Sequence, residues 1–78
     1  MRDEVHTAFH DAATEITGRD LRLADDATPF DELGMDSVDA IEILTRIEGT
    51  LGVRFRDDHL SRLRTVADVV ALVSELRG

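Results

Sequence analysis

Three stretches of this sequence repeat apolar residues at steps of three and four, and none alternates them residue by residue. Val5, Ala8, Phe9, Ala12 and Ile16 form the first set; Ala40, Ile43, Leu44, Ile47 and Leu51 the second; Val66, Val69, Val70, Val73 and Leu76 the third. At 100° per residue each set covers one arc of a helix, so three helices each have one face to bury. Val69 and Val70 are the one strand-like feature, and their helical spacing outvotes it. The end signals agree. Gly18 stops the first helix, Asp36 caps a second that runs from Ser37 to about Leu51, and Thr65 with Asp68 forms a T-x-x-D capping box for a last helix up to Gly78. Between them, Val53 and Phe55 follow the Gly52 turn as core anchors, and a short helical stretch covers about Asp57 to Leu63. The expected fold is all-α: a small antiparallel bundle of three longer helices plus one short helix, one domain over residues 1–78.

Composition narrows what such a bundle can do. A chain of 78 residues without cysteine has no disulfide staple, thiolate zinc site or cysteine nucleophile, so its 42% hydrophobic content must hold the fold by packing. Seventeen acidic residues against nine basic ones give a net charge of -8. The basic residues are all arginines and are scattered, so no basic face exists for a nucleic acid or an anionic membrane. An acidic surface keeps a protein in solution, and it also steers encounters with basic patches on partner proteins. Acids interrupt the first twenty residues, and no apolar run reaches the roughly 18 residues that span a bilayer, so a cytoplasmic monomer is expected.

The long connection from Gly18 to Asp36 is unusual in so small a domain. Thr28, Pro29 and Asp31 look like an N-cap, a first-turn proline and a capping-box acid, with Gly34 ending about one helical turn. Leu21, Leu23, Phe30 and Leu33 are expected to pin this loop to the core. Its acids lack the alternate-position ligand ladder of an EF-hand, so calcium is not expected. His6 and His10 have metal-capable spacing on the first helix, but without a third ligand they are read as a solvated face, and no metal site is expected.

Ser37 is the most informative residue. It occupies the first turn of a helix at the end of that loop, where a hydroxyl is exposed and where free N–H groups and the helix dipole would offset a phosphodiester. A cap or an ordinary first-turn serine is the simpler alternative. A catalytic nucleophile is not supported: Met35 and Asp39 stand where a nucleophile elbow needs glycines, and no histidine is near in sequence. No lysine is available for a phosphate loop. On the exposed side of the same helix, Val38 and Ile41 lie among Asp39, Glu42, Thr45, Arg46 and Glu48, an acidic face with apolar residues embedded in it.

Gly34-Met35-Asp36-Ser37-Val38, followed by Asp39, Ile41 and Glu42, resembles the attachment signature G-x-D-S-[LV] of acyl carrier proteins. Phe30-Asp31-Glu32-Leu33-Gly34, Gly52-Val53-Arg54-Phe55 and Thr65-Val66-Ala67-Asp68-Val69-Val70 are similar to three further segments of that family, in the same order. The resemblance implies that Ser37 receives a 4′-phosphopantetheine arm from coenzyme A through a separate Mg²⁺-dependent phosphopantetheinyl transferase. The arm would carry acyl groups as thioesters between acyl-transferring, ketosynthase or ligase-type enzymes, and the protein itself would catalyse nothing. On the family pattern Asp36, Val38, Asp39, Ile41 and Glu42 would meet the transferase and the downstream enzymes, with Thr45 and Arg46 on the same face.

Two departures bear on the choice of pathway. Carriers of primary fatty acid synthesis have a more acidic second helix, whereas Thr45, Arg46 and Gly49 occupy this one. A positive charge there weakens docking to basic patches by about a kcal/mol or less at an exposed site. The acidic start of the short helix is reduced to Asp57 and Asp58, flanked by Arg56 and Arg62. These features lean toward polyketide or specialised fatty acyl biosynthesis, with primary fatty acid synthesis next. An aminoacyl or peptidyl carrier remains an alternative, against which Asp36 counts because peptidyl carriers more often have histidine there. The alternative from another class is a helical interaction module without cofactor, Ser37 being a cap and Val38 with Ile41 a docking patch.

Overall fold

The computed structural model describes residues 2–77, with side chains from Asp3 onward. Four helices follow one another: α1 Arg2–Thr17, α2 Ser37–Leu51, α3 Asp57–Leu60 and α4 Val66–Arg77, with no strand among the described residues. The all-α bundle of three longer helices and one short one is therefore what forms. The expected end of α4 at Gly78 lies outside the described residues.

The three stripes form the core, with Ala8, Ile16, Ala40 and Val70 half-buried at its edge and Leu76 exposed. Val5, Phe9, Ala12 and Ala13 of α1 meet Ile43, Leu44, Ile47 and Leu51 of α2 and Val66, Val69 and Val73 of α4, all buried. A buried Val, Ile or Phe side chain of this kind contributes roughly 1.5–3 kcal/mol. In α4 the buried arc is rotated from the expected stripe, taking in Leu72 and leaving Val70 half-buried; Leu76 lies on that arc but is 39% exposed because it belongs to the last turn, past the core. Leu23 is fully exposed: it sits in the tight turn closed by the Ala24 N–H on the Leu21 carbonyl, which directs it outward. Phe30 is buried, and Leu21 and Leu33 pack partly against the core, as expected.

Arg77 fixes the directions of the helices. Its guanidinium pairs with Glu4 and donates to the Leu51 carbonyl at 2.7 Å, so the start of α1 and the ends of α2 and α4 meet at one end of the molecule. α1 consequently runs opposite to α2 and α4.

The long connection has a defined path. The Phe30 N–H donates to the Arg64 carbonyl at 2.8 Å and the Ala67 N–H to the Asp26 carbonyl at 3.1 Å, which staples the loop to both sides of the α3–α4 link. The Phe30 ring stacks on Phe9 at 5.5 Å. After Pro29 the chain makes one helical turn and stops at Gly34 (φ 80°), where the Met35 N–H reaches the Phe30 carbonyl and the Gly34 N–H that of Asp31. That pair of bonds is a Schellman stop. The capping box expected in front of it does not form: the Asp31 carboxylate accepts from the Glu32 N–H at 2.9 Å instead, a shorter local reach.

Two helix ends also differ in detail. α3 closes at Leu60, and Ser61 and Arg62 continue only as a turn, the Arg62 and Leu63 N–H groups bonding three residues back. The Thr65–Asp68 box forms in both directions, at 3.0 and 3.2 Å. His10 departs most from expectation: it is 2% exposed, while His6 on the same α1 face stays partly exposed.

Candidate functional site: the first turn of α2

Asp36 and Ser37 have separate duties. Asp36 is the N-cap, extended at φ −88° and ψ 177°, and its carboxylate accepts the Asp39 N–H at 2.9 Å. Ser37 is the first helical residue; its side chain is exposed, and its hydroxyl makes no hydrogen bond among the described residues. The alternative in which Ser37 serves as the cap is thereby removed. The N–H groups of the first turn that Asp36 does not satisfy remain directed past Ser37, and the dipole adds positive potential there.

The approach to Ser37 is held from outside the helix. Arg19 donates to the Leu33 carbonyl at 2.7 Å and its guanidinium lies over Gly34, 2.9 Å from where a side chain there would begin. Glycine is needed for its positive φ; the guanidinium adds a contact that a flexible arginine can yield.

Beside Ser37 an open groove of about 800 Å³ runs between the loop, α2 and the α3 region, with Phe30, Met35, Ile41, Leu44, Leu60 and Leu63 among its walls. Its lining is mostly apolar, and Ser37 itself forms part of the rim. Sequence reasoning did not assemble this groove. Met35 and Leu60 were available as apolar residues near turns, but only the loop staple at Phe30 and Arg64 brings them to one cleft.

The exposed face of α2 is as read except at Glu48, which is half-buried and accepts the Phe55 N–H at 2.6 Å. Val38 and Ile41 are 61% and 52% exposed, Asp36, Glu42, Thr45 and Arg46 are exposed, and Asp39 is half-buried. The Arg46 guanidinium, however, pairs with Glu15 of α1, and the Thr45 hydroxyl donates back to the Ile41 carbonyl at 2.9 Å. The charge that seemed to interrupt the acidic face is thus partly compensated. Near α3, Arg56 bonds the Asp58 carboxylate at 3.0 Å, which holds that carboxyl below its ordinary range. His59 accepts the Arg56 N–H at 3.1 Å and is engaged at the start of its own helix.

An exposed first-turn serine beside an apolar groove, on a four-helix frame, can be set against known proteins. Residues 8–73 match the family model described as a phosphopantetheine attachment site. The chain belongs to the acyl carrier protein family. Its relatives include the acyl carrier protein of Rhodococcus erythropolis, 32% identical over 78 residues that cover 99% of this chain and 86% of the relative. The meromycolate extension acyl carrier protein of Mycobacterium tuberculosis is 32% identical over 76 residues, covering 96% of this chain; that span is 66% of the relative, just under two thirds of its length. Among solved structures, the acyl carrier protein of Thermotoga maritima superposes with a TM-score of 0.85 at 32% identity, covering 96% of this chain and 88% of that one.

The cofactor of an acyl carrier protein is phosphopantetheine, and the first turn of α2 suits it. The site offers a hydroxyl that holds nothing, unsatisfied N–H groups for an anion, and an apolar groove beside them. Among the described residues no helix is long and apolar enough to cross a membrane.

Proposed function

We propose that Ser37 is the attachment point of 4′-phosphopantetheine and that the protein shuttles acyl groups between enzymes of a specialised fatty acyl or polyketide pathway. The observation that carries this reading is the exposed hydroxyl of Ser37, free of capping duty, within the region matched to the attachment-site family. The bound arm supplies a terminal thiol that this cysteine-free chain lacks, and with it thioester chemistry. The chain's own part is positional. Asp36 keeps the first turn of α2 formed while Ser37 Oγ enters a phosphodiester, the helix N-terminus offsets the charge gained, and the groove walls offer apolar surface to the arm or its cargo.

Asp36, Val38, Asp39, Ile41 and Glu42, extended by Thr45 and Arg46, form the proposed docking face for a phosphopantetheinyl transferase and for acyl-handling enzymes. Two exposed aliphatic side chains ringed by acids suit a partner with an apolar pocket inside a basic rim. Relatives named for meromycolate extension support the fatty acyl branch of this reading.

Intact-protein mass spectrometry tests it, after incubation with coenzyme A, Mg²⁺ and a promiscuous phosphopantetheinyl transferase. One phosphopantetheine is expected on the native chain and none on Ser37→Ala. Acyl or aminoacyl adducts on material from the source cell then separate the fatty acyl, polyketide and aminoacyl branches. A mass that never moves while a control carrier loads would return the cofactor-free interaction module to first place.

A further inference from the structure

On the α1 side of the molecule, in a recess that shares no residue with the groove at Ser37, two histidines and an aspartate converge. His6 and His10 are one turn apart on α1, their ring centroids 4.9 Å from each other. Asp26 comes from the long connection, and its carboxylate lies 2.6 Å from His6 Nε2. One ligand atom from each residue can be chosen so that all three lie within 4.8 Å of one another. His10 is 2% exposed, and neither of its ring nitrogens has a hydrogen-bond partner among the described residues. A buried imidazole with both nitrogens unsatisfied is costly and rare, and here it faces the other two groups.

The geometry points to a site for a divalent transition metal, with zinc as the type case, held by His6, His10 and Asp26. Two imidazoles and one carboxylate form a donor set that suits zinc and its neighbours, whereas magnesium and calcium call for oxygen ligands. Tetrahedral zinc, with bonds of about 2.0–2.2 Å, sets its ligand atoms roughly 3.3 Å apart. The His6–Asp26 contact has to open by less than about an ångström and a His10 nitrogen has to close by at most about one and a half, which is side-chain motion. Three protein ligands leave a fourth position toward the recess, whose mouth is lined by Asp3 and Thr7.

Asp26 is well placed for this before any metal arrives. The turn that presents it is closed by the Thr28 N–H on the Asp25 carbonyl and the Ala27 N–H on the Asp25 carboxylate, and the Asp26 carbonyl holds the first turn of α4. The cation at the rim, Arg22, is bonded by Asp11 at 2.6 Å and Asp20 at 3.2 Å, which offsets its repulsion. A metal here clasps α1 to the long connection, and through it to α4.

The test is Zn²⁺ binding to the full chain by calorimetry, with Co²⁺ absorption to report the ligand field. Ser37→Ala is the background control, because it cannot acquire a cofactor thiol. One metal per chain is expected, with a tetrahedral Co²⁺ spectrum, and Zn²⁺ at a hundredfold excess over Kd is expected to raise Tm by roughly 10–20 °C. His6→Gln and Asp26→Asn should each weaken binding by at least about tenfold while their melting in EDTA stays near that of the parent. His59→Gln should bind as the parent does. Parent-like affinity in His6→Gln and Asp26→Asn, loss of binding in His59→Gln, or no uptake of Zn²⁺ or Co²⁺ at micromolar concentrations would each overturn the assignment.

Discussion

Asp36 and Ser37 split between them what one residue does at many helix starts. Because Asp36 carries the cap, Asp36→Ala is expected to cost about 1 kcal/mol in urea unfolding, and Asp36→Asn much less because an amide oxygen still caps. If the transferase reads the charge as well, Asp36→Asn keeps its stability but loads more slowly, and loading kinetics beside the unfolding curve separate the two roles. Gly34 is the other decisive position. With φ at 80° and the Arg19 guanidinium overhead, Gly34→Ala should destabilise by about 1 kcal/mol or more, measured in the same way, and Arg19→Ala should relieve only the steric part. His10 sets a pH dependence. Burial is the main cause that lowers its pKa, with His6 and Arg22 adding to it and Asp26 and Asp20 opposing. The unfolded chain therefore binds this proton more readily than the folded one. In EDTA, stability should hold above about pH 6.5 and fall as the pH drops from there toward the depressed folded-state value. Chemical denaturation across that range checks this, and His10→Gln should flatten the slope.

At the scale of elements, the face of α2 joins an exposed apolar pair to a ring of charges. Val38→Ser and Ile41→Ser should change stability by no more than about 0.5 kcal/mol, since neither contributes to the core. Transfer of an acyl group to a cognate enzyme should fall, and an unchanged transfer rate would remove these residues from the docking face. Arg46→Glu costs an exposed pair worth less than about 1 kcal/mol. The larger effect is expected on docking, because Glu15 then adds to the repulsion of an acidic partner and to the attraction of a basic one. The helices and their caps were legible in the sequence because periodicity and capping are local. What was not legible depends on contacts between distant segments. Leu23 and Leu76 carry the right chemistry for burial, but the turn at Leu21–Ala24 directs the first outward and the second sits in the last turn of α4, past the core. His6 and His10 looked solvated because their third neighbour, Asp26, is brought in by a loop whose path is set by backbone bonds to α4. The groove was hidden for the same reason, since Leu60 reaches it only through the staple at Phe30 and Arg64.

At the scale of the molecule, the strongest asymmetry comes from Arg77. One guanidinium gathers the start of α1 and the ends of α2 and α4, while the other end carries Ser37, the groove and α3, a helix of four residues none of which is buried. Arg77→Ala should lower stability by about 1–2 kcal/mol, a Tm shift of several degrees by calorimetry, through one lost bond to a carbonyl and one ion pair. The mechanical consequence is leverage. α2 is about 20 Å long, so with one end pinned a tilt of about 5° at the Arg77 end sweeps its other end through nearly 2 Å. In the proposed carrier, small angular play at this pivot would change the width of the groove beside Ser37 far more than the spacing of the helices at the Arg77 end.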